Sequence, residues 1–256
     1  MSFAISLRAE ILKTKRSAAF WLSVLGALFI PVIFFLMYFF KPEEFSVQLK
    51  SKPWEGHFEH GWQALSLFLL PMFVILTCSL IPQIEFKNNT WKQVFASPQS
   101  LGNIFFSKFL AIHLMILFCF ILFNIFMLLS AVSVNFLNSK YSFLSTPVDW
   151  LALLRLSFKT YVSILGISAI QYWISLRFKN FIAPIGIGLA LLITSLIIMQ
   201  WEHISKVPYA HPALTFFDIR KKSSHLLTNH EWNSIGYFIF FTIVAFFDMK
   251  YRKERG

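Results

Sequence analysis

Few residues of this chain could perform chemistry, and they fall into two small groups. His57, Glu59 and His60 lie within four positions, and two histidines three residues apart can share one helical face and bind a metal ion. The chain has 7 histidines, so we favour the alternative of an exposed patch at the membrane surface. Arg155 and Lys159 are four residues apart at the start of an apolar stretch. They can reach back to the membrane surface, or belong to turns that lie along it.

Motifs of nucleotide-binding and hydrolytic enzymes are absent from the sequence. There is no Gly-x-x-x-x-Gly-Lys-Ser/Thr loop, no Gly-x-Ser-x-Gly turn and no His-Glu-x-x-His helix. No acidic residue lies in the middle of a long apolar stretch, where an ion-driven carrier usually needs one. We therefore expect no catalytic residue, metal or cofactor in this chain. A membrane enzyme built on the histidine group is the weakest hypothesis.

One polar stretch, residues 85–108, is bordered on both sides by unbroken apolar runs. Apolar residues from Trp91 to Phe95 recur at helical spacing with polar residues between them, which predicts a short amphipathic helix. Pro98 is expected to end this helix, and the Ser100 hydroxyl can cap a second short helix. The pattern is typical of a docking element, although a basic linker at the membrane surface is the alternative.

The composition is that of a membrane protein. Hydrophobic residues make up 57% of the chain and charged residues 14%, whereas soluble domains have roughly 25% charged residues. The net charge of +11 comes from cations at the ends of apolar runs. We therefore expect contact with anionic lipid head groups, and no binding of nucleic acid. Cys78 and Cys119 lie within apolar runs, so small core residues are expected rather than a disulfide.

The apolar runs predict an all-α membrane protein with a single domain over residues 1–256. Residues 2–18 are expected to form an interfacial helix, and 201–232 an outer loop. The first apolar run is too long for a cleavable signal, so it is counted as a span. Six spans are predicted, at residues 20–40, 62–84, 109–134, 151–176, 181–200 and 235–249. The sixth is short, which suggests either a thinner local crossing or an earlier start.

The charge distribution predicts the orientation. Six spans place both termini on one side, together with the 85–108 segment. The connections on this side carry more than half of the 23 lysine and arginine residues, while most of the 12 acidic residues lie in the opposite loops. Because cations near spans stay on the cytoplasmic side, both termini and the 85–108 segment are expected in the cytoplasm.

Two groups of residues follow a recognisable pattern. Before the first span, an acidic residue is followed by lysine three positions later and then by a basic pair, as Glu10, Lys13, Lys15 and Arg16. In the second group, an acidic residue precedes a turn, an aromatic residue, a short helix with proline, and a lysine, as Glu85, Thr90, Trp91, Ser97, Pro98, Ser100 and Lys108. This combination resembles the ABC-2-type transporter permeases, most closely the compact group associated with bacteriocin, lantibiotic or bacitracin self-protection. Asn89 and Leu101 depart from the pattern, since glycine and a basic residue are usual there.

The resemblance implies a subunit of six helices, paired with a second permease subunit that is the same or homologous. It also implies two cytoplasmic ATPase subunits, which hold ATP and Mg²⁺. The 85–108 helix would then dock in a cleft of the ATPase through Glu85, Asn89, Thr90, Trp91, Lys92 and Phe95. The residues singled out on the interfacial helix are Arg8, Glu10, Lys13 and Arg16.

These observations favour a permease of the bacterial cytoplasmic membrane that exports or extracts an amphiphilic molecule, such as an antimicrobial peptide or a lipid-like compound. A chain without nucleotide chemistry needs a partner as its source of energy. The alternative is a membrane scaffold or sensor that does not transport, and that recruits a cytoplasmic protein through the 85–108 segment. An adjacent ATPase gene would favour transport.

Overall fold

The computed structural model describes residues 2–49, 52–88, 90–96, 98–220 and 227–251. Within these ranges the chain forms helices and turns, and no β-strand. The all-α class predicted from the sequence is therefore confirmed.

The α-helices of the described part of the chain are numbered in order. They are α1 (Phe3–Thr14), α2 (Ala18–Phe40), α3 (Pro42–Gln48), α4 (Pro53–Ala64), α5 (Leu70–Lys87), α6 (Trp91–Ala96), α7 (Leu101–Leu137), α8 (Trp150–Arg177), α9 (Ile182–Ile197), α10 (His211–Arg220) and α11 (Asn229–Tyr251). A π-helical turn, Leu65–Leu69, joins α4 to α5, and two 3₁₀ turns precede α10, Ile204–Lys206 and Pro208–Ala210.

Among the described residues, five helical segments are long and apolar enough to cross a membrane. They are α2, the continuous α4–α5 segment, α7, α8 and α11. The predicted fifth span corresponds to α9, which has 16 residues and a length of about 24 Å, below the roughly 30 Å of a bilayer core. The structure therefore supports five full-length spans and one shorter apolar helix instead of the six spans predicted.

The second crossing is longer than its apolar run suggests. It covers Pro53–Lys87, or 35 residues, which is about 52 Å of helix. The π-helical turn lies just before Pro71. Because proline lacks an N–H group and its ring clashes with the carbonyl four residues earlier, the wider turn lets the helix continue through this position.

The third crossing begins at the serine that the sequence singles out as a cap. The Ser100 hydroxyl accepts a hydrogen bond from the Asn103 amide at 3.2 Å. However, the helix that starts there is the 37-residue α7. The expectation of a second, separate short helix in the 85–108 segment is therefore wrong, because the helix that begins at Leu101 continues without a break to Leu137.

Helices α8 and α11 lie side by side and run in the same direction. The Gly166 amide donates to the Ser234 hydroxyl at 3.0 Å. Towards the ends of both helices, Arg177 pairs with Asp248 at 2.8 Å. Because the helices are parallel, residues 178–228 must carry the chain back to the end where α11 begins. The sixth span begins at Asn229, and this earlier start is one of the two explanations that its short apolar run suggests.

Close packing holds α9 against α5 and α8. A Cβ atom at Gly188 would lie 2.7 Å from Gln171 Oε1 and 2.8 Å from Ile75 Cγ2. The Gln171 amide donates to the Pro184 carbonyl at 2.7 Å, and its oxygen accepts from the Tyr209 hydroxyl at 3.0 Å. Gly188 therefore allows close approach of helices, as expected from its residue type, whereas a Cβ at Gly186 would meet nothing within 4 Å.

The distribution of polarity is that of a protein surrounded by lipid. Polar side chains carried by α5, α8 and α9 are buried inside the bundle, namely Ser79, Ser163, Ser168, Gln171, Ser175 and Ser195. Large apolar side chains are exposed along α2, namely Trp21, Leu25, Phe29, Val32 and Leu36. Such an arrangement is favourable where the surroundings are hydrocarbon and polar groups must find partners inside the protein.

Candidate functional site

Four charged residues from three helices meet at one end of the bundle. The Lys108 ammonium lies 2.7 Å from Glu10 Oε2 and 2.8 Å from Glu85 Oε2. The Lys13 ammonium lies 2.8 Å from Glu10 Oε1 and 3.0 Å from Glu85 Oε1. Each cation therefore contacts both carboxylates, and the four residues form a closed ring, called here the ion cluster.

Three of the four members of the ion cluster are buried, and the cluster is electrically balanced. The side chains of Lys108 and Glu85 are each 1% exposed, whereas Lys13 is 36% exposed. Lys108 donates a well-formed hydrogen bond to Glu10, and its contact with Glu85 is a charge contact without hydrogen-bond alignment. Because burying an ion costs several kcal/mol unless it is paired, removing a single member would leave a buried charge of the cluster without full compensation.

The cluster holds its α1 members in the charged state. Burial alone raises the pKa of Glu10, but the charge and hydrogen bond of Lys108, together with those of Lys13, outweigh it, so the pKa lies below its ordinary value. Burial lowers the pKa of Lys13, but the two carboxylates raise it above its ordinary value. Both residues therefore remain ionised at neutral pH.

Polar side chains on one face of α1 hold this helix beside the ion cluster. Its buried residues form the polar stripe Ser6, Glu10 and Thr14, spaced by one turn of helix. The Ser6 hydroxyl donates to Gln99 at 3.0 Å. An interfacial helix is expected to bury its apolar side chains, but in α1 Phe3 and several neighbouring apolar side chains are exposed. The helix thus docks on the bundle through polar contacts and turns apolar side chains away from it.

A tight turn separates α1 from α2. Arg16 has a positive φ of 63°, which is unfavourable for a residue with a Cβ atom. Ser17 then caps α2 by accepting from the Phe20 amide at 3.4 Å. The side chains of Arg8 and Arg16 are exposed, so these two predicted residues lie outside the ion cluster, whereas Glu10 and Lys13 form half of it.

Trp91, at the start of α6, lies directly against the cluster. Its ring is 5.2 Å from the ring of Phe86, and the Lys108 ammonium lies 5.7 Å from its centroid. A cation near the face of an indole is attracted by the negative potential of that face. Trp91 is half-buried, so α6 is tied through this side chain to both helices that flank it.

The remaining predicted docking residues lie around this turn. The Thr90 amide donates to the Glu85 carbonyl at 3.0 Å, and the Thr90 carbonyl accepts from the Val94 amide at 2.9 Å. Thr90 therefore joins the end of α5 to the start of α6. Asn89 lies outside the described residues, and the side chains of Lys92 and Phe95 are outside the described part as well.

The histidine group does not assemble as a metal site. His57 is buried, where its Nε2 donates to the Met127 carbonyl at 2.9 Å and its Nδ1 accepts from the Tyr38 hydroxyl at 3.0 Å. His60 is exposed and hydrogen-bonds the Gly56 carbonyl. Among the described residues, no group of three or more metal-binding side chains is brought together. His57 is therefore a core residue, and the expectation of an exposed patch does not hold for it.

Of the second charged pair, Lys159 is buried and Arg155 is exposed. The Lys159 ammonium lies 3.8 Å from Glu231 Oε1 at the start of α11. The expectation that Lys159 reaches the membrane surface is therefore wrong, because a partner on α11 keeps it inside. Glu231 could not be chosen as that partner from the sequence, since it lies more than 70 positions away.

The chain was compared with known proteins. A family model described as ABC-2 family transporter protein matches residues 6–195. The matched region contains the whole ion cluster and α6. Comparisons with curated proteins and with solved structures gave no match.

Proposed function

Because the chain belongs to the ABC-2 family of transporter proteins, we propose that it is the permease subunit of an ATP-driven exporter. It would work with separate cytoplasmic ATPase subunits that bind ATP and Mg²⁺, and with a second permease subunit. The substrate would be an amphiphilic molecule, either an antimicrobial peptide or a lipid-like compound. On this proposal the protein lies in a bacterial cytoplasmic membrane, with both termini and α6 in the cytoplasm, as the charge distribution favours.

The observation that carries this proposal is the position of α6 over the ion cluster. The Trp91 ring contacts Phe86 of α5 and faces Lys108 of α7. Lys108 in turn binds Glu10 of α1 at 2.7 Å. A displacement of α6 would therefore act on three helices at once, through paired charges that cannot separate cheaply.

This arrangement suits a chain that receives mechanical work from a partner. An ATPase that closes on ATP would push or turn α6, and the ion cluster would pass that movement to α5 and α7. Because these two helices belong to the longest crossings, a small rotation at one end becomes a larger displacement at the other. The chain needs no nucleotide chemistry of its own for this role.

The test of the proposal is the variant Trp91→Ala, examined at matched membrane expression with a co-expressed ATPase that the wild-type chain captures. Truncating an anchor residue in a desolvated contact commonly costs about 2 kcal/mol or more, which is at least about tenfold in affinity. We expect the variant to insert and fold, but to capture less ATPase or to lose substrate stimulation of ATP hydrolysis. Gln93→Ala is the matched control, because Gln93 is an exposed residue of the same short helix.

Two results would argue against this function. ATPase capture and coupling at wild-type levels in Trp91→Ala would leave Trp91 as an aromatic anchor in the head-group layer. Capture of a cytoplasmic protein without any nucleotide-dependent movement of substrate would favour the scaffold or sensor hypothesis.

A further inference from the structure

A cleft lies at the end of the bundle opposite the ion cluster. It is formed by α4, the turn at 146–149 and the start of α8, and its volume is about 450 Å³. Trp54 in its wall and Glu85 in the ion cluster are on the same α4–α5 segment, separated by about 46 Å along the helix axis. In the orientation proposed above, the cleft faces the outside of the cell.

The floor of the cleft is apolar and held in place. Trp54, Phe58, Leu153 and Leu156 line it, and each is less than a tenth exposed. The Trp54 indole N–H donates to the carbonyls of Phe143 and Thr146, at 2.9 and 3.0 Å. The indole is therefore fixed before any ligand arrives, which lowers the entropy lost on binding.

The rim of the cleft is acidic, although the chain as a whole carries a net charge of +11. Its charged residues are Lys52, Glu55, Glu59 and Asp149. Lys52 and Glu55 pair with each other, and Asp149 caps α8 by accepting from the Ala152 amide at 2.9 Å. Glu59 forms no hydrogen bond or ion pair within the described part of the chain and acts on Lys52 only at longer range, so its carboxylate can contact a ligand directly.

We propose that this cleft binds a hydrophobic organic cation of small-molecule size, with the apolar body on the Trp54 floor and the cationic group beside Glu59. The volume lies in the lower part of the roughly 300–1,000 Å³ typical of small-molecule sites. It therefore favours a compact lipid-like cation over a two-chain lipid or a whole peptide, which narrows the amphiphilic substrate proposed above. As a substrate class for transport, this inference rests on the proposed exporter function, whereas binding itself does not require the ATPase.

Binding can be measured by equilibrium dialysis of tetraphenylphosphonium against the purified full-length chain in detergent. Tetraphenylborate, which has the same shape and the opposite charge, serves as the matched probe. Glu59→Gln should weaken tetraphenylphosphonium binding about threefold to fivefold at low salt, the range expected for one partly exposed charge contact. Glu202→Gln removes an exposed acid outside the cleft and should leave binding unchanged.

Ala152→Trp provides a second variant that does not alter the buried floor. Ala152 lines the cleft and is exposed, so a large side chain there should occupy the cleft and abolish binding without loss of fold. Equal binding of the two probes, or wild-type affinity in both Glu59→Gln and Ala152→Trp, would overturn the proposal. Loss of ATPase coupling in Trp91→Ala with tetraphenylphosphonium binding intact is also expected, so a failure of the exporter function can be told from a failure of the cleft.

Discussion

At the scale of single residues, the buried charges of the ion cluster dominate the energetics. Lys108 contacts two carboxylates and a tryptophan ring, and its side chain is 1% exposed. Buried ion pairs add little net stability over apolar side chains of similar size, but breaking one is costly because a charge is left without a partner. The arrangement therefore favours one docking position of α1 over all others.

We predict that Lys108→Met destabilises the protein by about 3–5 kcal/mol, since Glu10 and Glu85 would then share only Lys13. The double variant Lys108→Met with Glu85→Gln restores the balance of charge around the remaining Glu10–Lys13 pair. It should therefore lose less stability than the sum of the two single variants, with a coupling of about 0.5–3 kcal/mol. Both effects are measured by heating the protein in detergent and recording the loss of the folded peak in size-exclusion chromatography.

Lys87→Met is the control for this comparison, because Lys87 is an exposed cation at the end of α5. It should change the midpoint of unfolding little. An equal shift in Lys87→Met and Lys108→Met would mean that the ion cluster contributes nothing specific to the fold.

The sequence identifies the four residues of the cluster as candidates, but it does not predict that they contact one another. Glu85 and Lys108 lie at the two ends of a polar stretch between apolar runs, which predicts only that both are at the level of the lipid head groups. Glu10 and Lys13 were placed on an interfacial helix by periodicity and resemblance. That all four join in one ring depends on the direction in which α1 folds back, and this direction is set by the polar stripe Ser6, Glu10 and Thr14, which an analysis of apolar faces overlooks.

At the scale of helices, α9 is the element most dependent on its neighbours. It has 16 residues and few buried ones, namely Pro184, Gly188, Leu192 and Ser195. It is too short to match a bilayer core on its own, so its position depends on packing at Gly188 and on the hydrogen bonds of Gln171.

We predict that Gly188→Ala destabilises the protein by about 1–3 kcal/mol, the usual cost of overpacking. The added methyl group would lie within 3 Å of Gln171 and of Ile75, and moving Gln171 would disturb its bonds to Pro184 and Tyr209. Gly186→Ala is the matched control, since its methyl group would meet nothing within 4 Å. It should be neutral or slightly stabilising, because alanine favours helix over glycine.

This prediction is tested by comparing the midpoints of thermal unfolding of the Gly188→Ala and Gly186→Ala proteins. A Gly188→Ala protein as stable as Gly186→Ala would show that α9 is not held by this contact.

Hydropathy alone locates the membrane-crossing helices but does not predict their full lengths. The apolar runs located α2, α5, α7, α8 and α11 correctly, because each contains enough apolar residues to cross a bilayer. The runs did not reveal that α4 continues into α5, and for α11 they suggested an earlier start without giving its position at Asn229. Both extensions carry polar residues that are satisfied by neighbouring helices, such as His57 by Met127, and these partners are visible only in the folded chain.

At the scale of the whole molecule, the parallel packing of α8 and α11 determines how the chain is threaded. Two consecutive long crossings can be parallel only if the chain between them returns across the membrane. Here α9 and the turns that follow it must make that return, although α9 alone spans about 24 Å. The arrangement places α1 and the last turns of α11 at the same end of the bundle, as six crossings require, while only five segments of the described chain reach full length.

The path of the chain across the membrane can be tested by labelling single cysteines in a Cys78→Ala, Cys119→Ala background. All four positions are exposed: Ser139 and Glu202 on the proposed outer side, Asn88 and Lys179 on the proposed inner side. In intact cells, a membrane-impermeant maleimide should label Ser139→Cys and Glu202→Cys, and should reach Asn88→Cys and Lys179→Cys only after permeabilisation. Protection of Glu202→Cys together with Lys179→Cys would show that α9 does not cross, and the reverse pattern at all four positions would show that the protein is inverted relative to its charge distribution.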